Sequence, residues 1–339
     1  MSLERVIEKY VKTVKSDVFV RYEKDFANKM LSALSKNYLK GKDEPSLVHV
    51  VEDIVNSLQS LNAKDQRLLF ELTTKSIFIH GNKSQVHFSY YGKSANSVEL
   101  GDLIFILSVI HNGKKFLEKL TINQFKKDKR KSRTISWNVS NKKQLYLLSR
   151  FPTFRGVRGL IPNREYDLPN YSGCLGSYGL LHKPGDFAFV SATRLDSFMR
   201  GRETLKSKEL NYLIDIRSNG IPDCCPIFCP TLRLILGNCH ISYDVYRFID
   251  EYLRASIGEP VFSKIGLDNS QARTLLHDLL TAVKTKAKRE GSRKMLNLVE
   301  SFRKFPYADK GKNQYNDDID FDPEGGGIGI IHTTIDLIE

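Results

Sequence analysis

The sequence predicts a mixed α/β (α+β) protein in which a central mixed β-sheet is flanked by an N-terminal and a C-terminal helical region. Three observations carry that expectation. Apolar residues recur every three to four positions up to about residue 72, the pattern turns to alternation and short apolar runs between about 74 and 192, and a helical period returns at 243–257 and 271–305. The 339 residues are 41% hydrophobic and 27% charged, the mix of a globular chain rather than a disordered or fibrous one. With no long apolar run and no apolar core near the start, neither a membrane-spanning helix nor a signal peptide is expected.

In chain order, residues 1–72 read as an N-terminal helical region. Leu47, Val50, Val51, Ile54, Val55, Leu58 and Leu61 mark one apolar face, and Asn62 to Asp65 open a further short helix through Glu71. Residues 73–240 form the expected α/β core. Runs at 76–80 and 85–91 flank Gly81–Asn82 like the arms of a hairpin. Residues 103–110 (LIFILSVI) fit a central strand buried on both faces. Asn112–Gly113 then gives a hairpin turn, and 116–126 is the return strand. Ser140 or Asn141 caps a helix through Ser149, and strands are expected at 186–192 and 232–236. Residues 241–308 read as a basic helical region and 309–339 as an acidic tail with an added edge strand at 328–338.

The net charge of +13 is concentrated in one place. Residues 111–165 hold 15 Lys/Arg against three acids, a surplus of twelve, so the rest of the chain is nearly balanced. Such a segment is the electrostatic footprint of a polyanion binder, although a basic face can also be merely solvated. Five cysteines are too few for a disulfide scaffold, which points to a reducing cytoplasm. No GxxxxGK[ST], HExxH or GxSxG sequence occurs, arguing against a P-loop ATPase, a zincin or a serine hydrolase.

The sharpest chemical signal spans the predicted hairpin. Asp102 lies eleven residues before Gly113 and Gln124 eleven after it, so antiparallel pairing about that turn brings them within about one register step. Gln124 and Lys126 then share one strand face and Phe125 takes the other. A carboxylate and an amide oxygen are hard ligands suited to Mg²⁺ (or Mn²⁺), and a neighbouring ammonium can orient water or offset charge on phosphorus.

In these residues the chain resembles the PD-(D/E)xK nuclease superfamily in its QxK variant, found among restriction and bacterial defence-system effector nucleases. The resemblance covers about 71–192 and implies a central sheet of restriction-endonuclease type. It implies Asp102, Gln124 and Lys126 as catalytic residues, Asp102 and Gln124 as metal ligands, and Glu99 or Glu71 as an extra acid. Gly101 stands where the family pattern has proline. The expected nucleic-acid contacts are Lys127, Lys129, Arg130, Lys131, Arg133, Lys142 and Lys143, with Trp137 nearby and Arg155, Arg158 and Arg164 interleaved with Phe151, Phe154 and Tyr166.

The expected function is therefore a Mg²⁺-dependent endonuclease acting on double-stranded DNA in restriction or antiphage defence. A sensor or ATPase subunit of the same system, or a second copy of the chain, is a further candidate partner; no membrane is expected. The alternatives are a catalytically inactive nucleic-acid-binding module and a protein–protein adaptor with a basic docking face. Cys224, Cys225, Cys229, Cys239 and His240 invite a zinc reading, but no second knuckle follows and Pro226 and Pro230 constrain the loop, so buried thiols are the better reading. The aspartates at 317, 318, 320 and 322 either compete for the basic face or solubilise the link to the last strand.

Overall fold

Three helices open the chain for reasons visible in their termini and faces. Helix α1 (Leu3–Val14) buries Val6, Ile7, Tyr10 and Val14 at three-to-four spacing. Helix α2 (Asp17–Leu39) is capped by Ser16, which accepts from Phe19 N. Helix α3 (Glu44–Ser57) starts from the Asp43 cap with Pro45 in its first turn, and buries Leu47, Val48, Val51 and Val55. The structure, a computed structural model, describes residues 3–65, 68–79, 84–94, 97–130, 135–158, 160–210, 240–264, 267–289, 291–293, 296–297, 299–300 and 327–338.

The remaining elements are β1 (Leu61–Asp65), β2 (Leu68–Ile79), β3 (Gln85–Tyr90), β4 (Lys93–Ser94), β5 (Val98–Glu99), β6 (Leu103–His111), β7 (Lys114–Lys127), β8 (Lys129–Arg130) and β9 (Ile135–Asn138). Then come α4 (Lys142–Arg150), β10 (Phe154–Arg158), β11 (Glu165–Tyr166), β12 (Gly176–His182), β13 (Asp186–Ser191), α5 (Ala192–Met199) and β14 (Thr204–Lys206). After these lie β15 (Ile241–Ser242), α6 (Val245–Leu253), β16 (Glu259–Ser263), β17 (Leu267–Asp268), α7 (Ser270–Arg289) and β18 (Ile328–Ile338).

The architecture is mixed α/β around a mixed sheet ordered β1-β2-β18-β6-β7-β12-β13-β15, with β16 on the first half of β7 and β17 beyond it. Strand β18 runs parallel to β6 and β12 parallel to β7; the other pairs are antiparallel. One face packs against α1, α2, α3 and α6 through Phe105, Phe125, Phe187 and Phe248. The other packs against α4, α5 and α7 through Ile104, Ile122, Tyr178 and Leu180. Two smaller sheets, one built on β3 and β10 and one on β8, β9 and β14, lie off the main sheet. Among the described residues no helix is long and apolar enough to cross a membrane.

Several sequence expectations hold. The run 103–110 is the interior strand β6, and Asn112 and Gly113 take φ of +48° and +70° to close the β6–β7 turn. Helix α4 is capped by Asn141, and the strand at 186–191 and the helix near 243–257 are present as β13 and α6.

Other expectations are corrected. Residues 61–65 and 68–72 are strands rather than a helix: Leu61 pairs with Leu72 and Ala63 with Phe70, because β2 is held from Leu69 to Ile79 by eleven register partners on β18. The proposed hairpin across Gly81–Asn82 does not form, since β2 lies in the main sheet and β3 in a separate one. The last strand is no edge strand; it sits between β2 and β6. Helix α7 ends at Arg289 rather than running to Phe305, with Gly291 at φ +64° just beyond. The strand expected at 232–236 and the aspartates at 317, 318, 320 and 322 lie outside the described residues.

Candidate active site at the open end of the β6–β7 hairpin

The hairpin delivers the predicted pair. Leu103 sits opposite Asn123, and one step earlier Asp102 N donates to Asn123 O at 2.9 Å. Asp102 O in turn accepts from Gly329 N at 2.8 Å, so the residue is fixed on both sides, by β7 and by the chain entering β18. Its Oδ2 accepts from Gln124 Nε2 and from Phe125 N, each at 2.6 Å. Gly101 also has a physical reason: a Cβ there would lie 2.8 Å from Ile122 Cγ2 and 3.1 Å from Asn123 O. The strand approaches too closely for proline or any side chain without a shift.

Gln124, Lys126 and Lys127 line one cavity of about 310 Å³ together with Glu44, Glu99 and Tyr178. Phe125 lies on the opposite face, its ring 5.6 Å from Phe187, as strand alternation requires. Glu99 reaches the cavity from β5, and Gln144 Nε2 of α4 donates to the Glu99 backbone oxygen at 2.6 Å. Burial pushes the Asp102 carboxyl up to about 7; the Lys126 ammonium and the Phe125 amide oppose that shift, and Glu44 and Glu99 add to it. Burial first, then the Asp102 and Asp196 carboxylates, push the Tyr178 hydroxyl well above its ordinary range.

Two residues of the site were not anticipated from the sequence. Glu44, in the first turn of α3, accepts from Lys126 Nζ and from Lys127 N, both at 2.8 Å. Asp43–Glu44–Pro45 is a readable helix start, but nothing in it announces a partner 82 positions away. Tyr178 comes from β12, a strand the sequence disguised. Glu71 does not belong: it pairs with Asp336, seven residues along β18 from Gly329 and so roughly 23 Å away. On the helix side of the sheet, Glu44 is the acid near Lys126.

The basic candidates divide. Lys129 is exposed on the cavity rim, and Lys142 is exposed with Glu203 at 3.9 Å. Lys143 is half-buried. Lys127 is engaged internally, its ammonium on Lys42 O and 4.8 Å above the Tyr38 ring. Arg130 lies on β8, while Lys131 and Arg133 fall outside the described residues. Trp137 offers no surface for a ligand, being buried with Nε1 donating to Leu181 O at 2.7 Å. Phe151, Phe154 and Tyr166 are likewise core residues, and Arg164 pairs with the buried Asp278 at 3.0 Å.

Among the described residues no group of three or more His, Cys, Asp or Glu side chains is arranged to hold a metal ion. Cys224, Cys225, Cys229 and Cys239 lie outside those residues; His240 Nδ1 sits 3.4 Å from the buried Cys174 Sγ and 3.0 Å from Ser191 Oγ. At Asp102, however, the donor chemistry fits Mg²⁺. Gln124 Oε1 is buried without a hydrogen-bond partner, a hard oxygen beside a carboxylate. Mg²⁺ takes one or two such protein oxygens when substrate phosphate and water complete its shell. Comparison with protein-family models, with curated proteins and with solved structures gave no match to this chain.

Proposed function

We propose that the chain is a Mg²⁺- or Mn²⁺-dependent nuclease of the PD-(D/E)xK type, with a sheet of restriction-endonuclease kind, hydrolysing phosphodiester bonds in nucleic acid. The observation that carries this reading is the contact of Asp102 with Gln124, which lines one cavity together with Lys126 at the end of a strand pair whose register aligns them. The resemblance adds double-stranded DNA as substrate and restriction or antiphage defence as the setting.

Asp102 and Gln124 would hold the cation, which would offset the charge that builds on the phosphoryl oxygens. The chain's own groups set the rest. Lys126 lines the cavity and is positioned by Glu44 at 2.8 Å, so its ammonium would face a phosphate that enters. Gln124 keeps its amide nitrogen on Asp102, which leaves its oxygen as the available cation ligand. Lys129 on the rim and the positive window draw a polyanion towards the cavity.

One observation favours a second reading, a catalytically silent nucleic-acid-binding module: Lys126 is ion-paired and Asp102 is hydrogen-bonded within the protein. The two readings separate on one assay. Plasmid DNA and single-stranded oligonucleotides are incubated with the full chain and Mg²⁺ or Mn²⁺, beside Lys126→Ala. The nuclease reading expects cleavage by the parent chain and none by the variant. Salt-sensitive binding without cleavage by either protein would leave the silent module. Absence of binding at moderate salt would leave an adaptor.

A further inference from the structure

Tyr90 and Tyr146 pack partly against the core, and Tyr91 joins them from a turn where nothing in the packing requires a tyrosine. Tyr91 and Gly92 form the two-residue turn between β3 and β4, at φ of +47° and +77°. That first turn position favours Asn, Asp or Gly, and a bulky residue held in the left-handed region is strained. The strain returns no burial, since Tyr91 is 67% exposed. Its ring lies 4.7 Å from that of Tyr146 and 4.8 Å from that of Tyr90, and the Tyr90 and Tyr146 rings are 5.0 Å apart. Beneath them Phe88 stacks on Tyr146 at 6.2 Å with an interplanar angle of 11°, anchoring the group to the core.

The cluster shares helix α4 with the site. Ser140, Asn141 and Gln144 at the start of α4 line the cavity. From there Lys143, Tyr146 and Arg150 follow one another at three-to-four spacing along a single helix face, over about 10 Å. The Arg150 guanidinium sits 5.8 Å from the Tyr146 ring centre and, although 3.8 Å from Asp196 Oδ2, keeps more than half its side chain exposed. Lys93, next to the turn, is exposed as well.

We propose that Tyr90, Tyr91 and Tyr146, flanked by Lys143 and Arg150, form a stacking platform for unpaired nucleobases of a strand passing the cavity. Aromatic rings bracketed by cations are the pairing that single-stranded nucleic acid requires: π-faces for bases and positive charge for phosphates. The charge argues for this occupant over an apolar protein segment. The inference rests on the nuclease reading and adds an unpaired strand as a bound form beside the duplex, yet the platform's binding can be measured with no cleavage at all.

The test is fluorescence anisotropy of labelled oligo-dT, oligo-U and a blunt DNA duplex with the full chain, in chelator so that no cleavage occurs. Tyr91→Asn is the informative variant, because asparagine suits the left-handed turn and should leave the melting temperature unchanged or higher. Its affinity for at least one single strand should fall roughly tenfold, with Tyr146→Leu behaving alike, Tyr91→Phe close to the parent and duplex affinity unaltered. An added oligo-dU arm, which differs from oligo-U only in the 2′-hydroxyl, identifies the sugar. Unchanged single-strand affinity in Tyr91→Asn and Tyr146→Leu would overturn the platform, as would equal losses for duplex and single strand. Tyrosine-dependent binding in a chain that never cleaves would sink the nuclease reading alone; metal-dependent cleavage with tyrosine-independent binding would sink the platform alone.

Discussion

Two polar clusters share the β6–β7 hairpin and one of its faces, and they have opposite characters. At the open end, Gln124 and Lys126 border a cavity and Asp102 lies behind them on the Gln124 amide, whose buried oxygen is left unpartnered. Six residues along β6, roughly 20 Å away, Ser108 Oγ donates to Glu118 Oε2 at 2.7 Å and lies 2.9 Å from His332 Nε2. By composition the second cluster is the more suggestive, with a hydroxyl, an imidazole and a carboxylate. Its geometry says otherwise. The single hydroxyl proton of Ser108 goes to Glu118, so His332 Nε2 must itself donate and cannot act as base towards the serine. Ser108 and Glu118 have no exposed surface and His332 only 5%. The inner cluster is a closed core network, its Glu118 carboxylate also held by the Lys115 ammonium at 2.5 Å. The outer one is open because the strand ends, α3 and α4 converge there without filling the space.

The largest effect expected from this contrast is catalytic. Asp102→Asn or Lys126→Ala should lower cleavage at least about a hundredfold, the scale of losing one group that stabilises transition-state charge. Asp102→Asn keeps the size of the side chain, so its far-ultraviolet dichroism should match the parent. Full activity in either variant would remove the site from this end of the hairpin.

The next effect is on stability and belongs to the inner cluster. Burial lowers His332 to about 4; Glu118 opposes the shift, and Lys115 and Lys75 reinforce it. Between pH 6.5 and about 4 the unfolded chain therefore binds the extra proton and the folded chain does not, so stability falls as pH falls through that window. The full loss is about 3 kcal/mol, reached below pH 4. Glu52, raised to about 7 mainly by burial, works in the opposite sense between its ordinary value and 7, so the parent curve shows a sum. Comparing denaturant unfolding of His332→Asn with the parent at pH 7 and pH 4.5 isolates the histidine. Its acid limb should be flatter, and parallel curves would show that His332 is not held neutral. Ser108→Ala, which strips both neighbours of their shared hydroxyl, should cost about 2 kcal/mol while leaving cleavage intact. Loss of cleavage with the fold retained would make the inner cluster functional after all.

The hairpin was legible because each of its parts is local: an apolar run, an Asn-Gly turn that takes the positive φ values it demands, and a return strand of matching length. From those parts the Asp102–Gln124 contact follows by counting. The rest was hidden for physical reasons. Strand β12 reads as a loop because of Gly176 and Gly179, yet the packing requires both. A Cβ on Gly179 would meet Phe125 Cε1 at 2.6 Å, and one on Gly176 would run into the Leu148 backbone. Residues 61–72 have a pattern that suits either a helix or a strand, and only pairing with β18, more than 250 positions later in the chain, decides it. Glu44 reaches Lys126 only because α3 packs on the far face of the sheet, a tertiary fact with no local signature.

The smallest predicted effect tests the same contrast between open and engaged groups inside the basic run. Lys127 and Lys129 are two residues apart and indistinguishable by composition. The Lys127 ammonium is on the Lys42 carbonyl and above the Tyr38 ring, and Tyr38 itself donates to Asp128, so moving Lys127 onto a phosphate would break an internal lock. Lys129 is exposed on the rim. Counterion release counts only the cations that reach phosphates, so Lys129→Gln should flatten the slope of log K against log salt by roughly 0.9 for duplex DNA. Lys127→Gln should barely move that slope and should instead lower the melting temperature. The change from one contact is modest at a single salt concentration, and it emerges only across a titration where screening varies. Equal slopes for the two variants would mean that the run acts as a diffuse charge, with no distinction between a lysine spent on the fold and one left for the ligand.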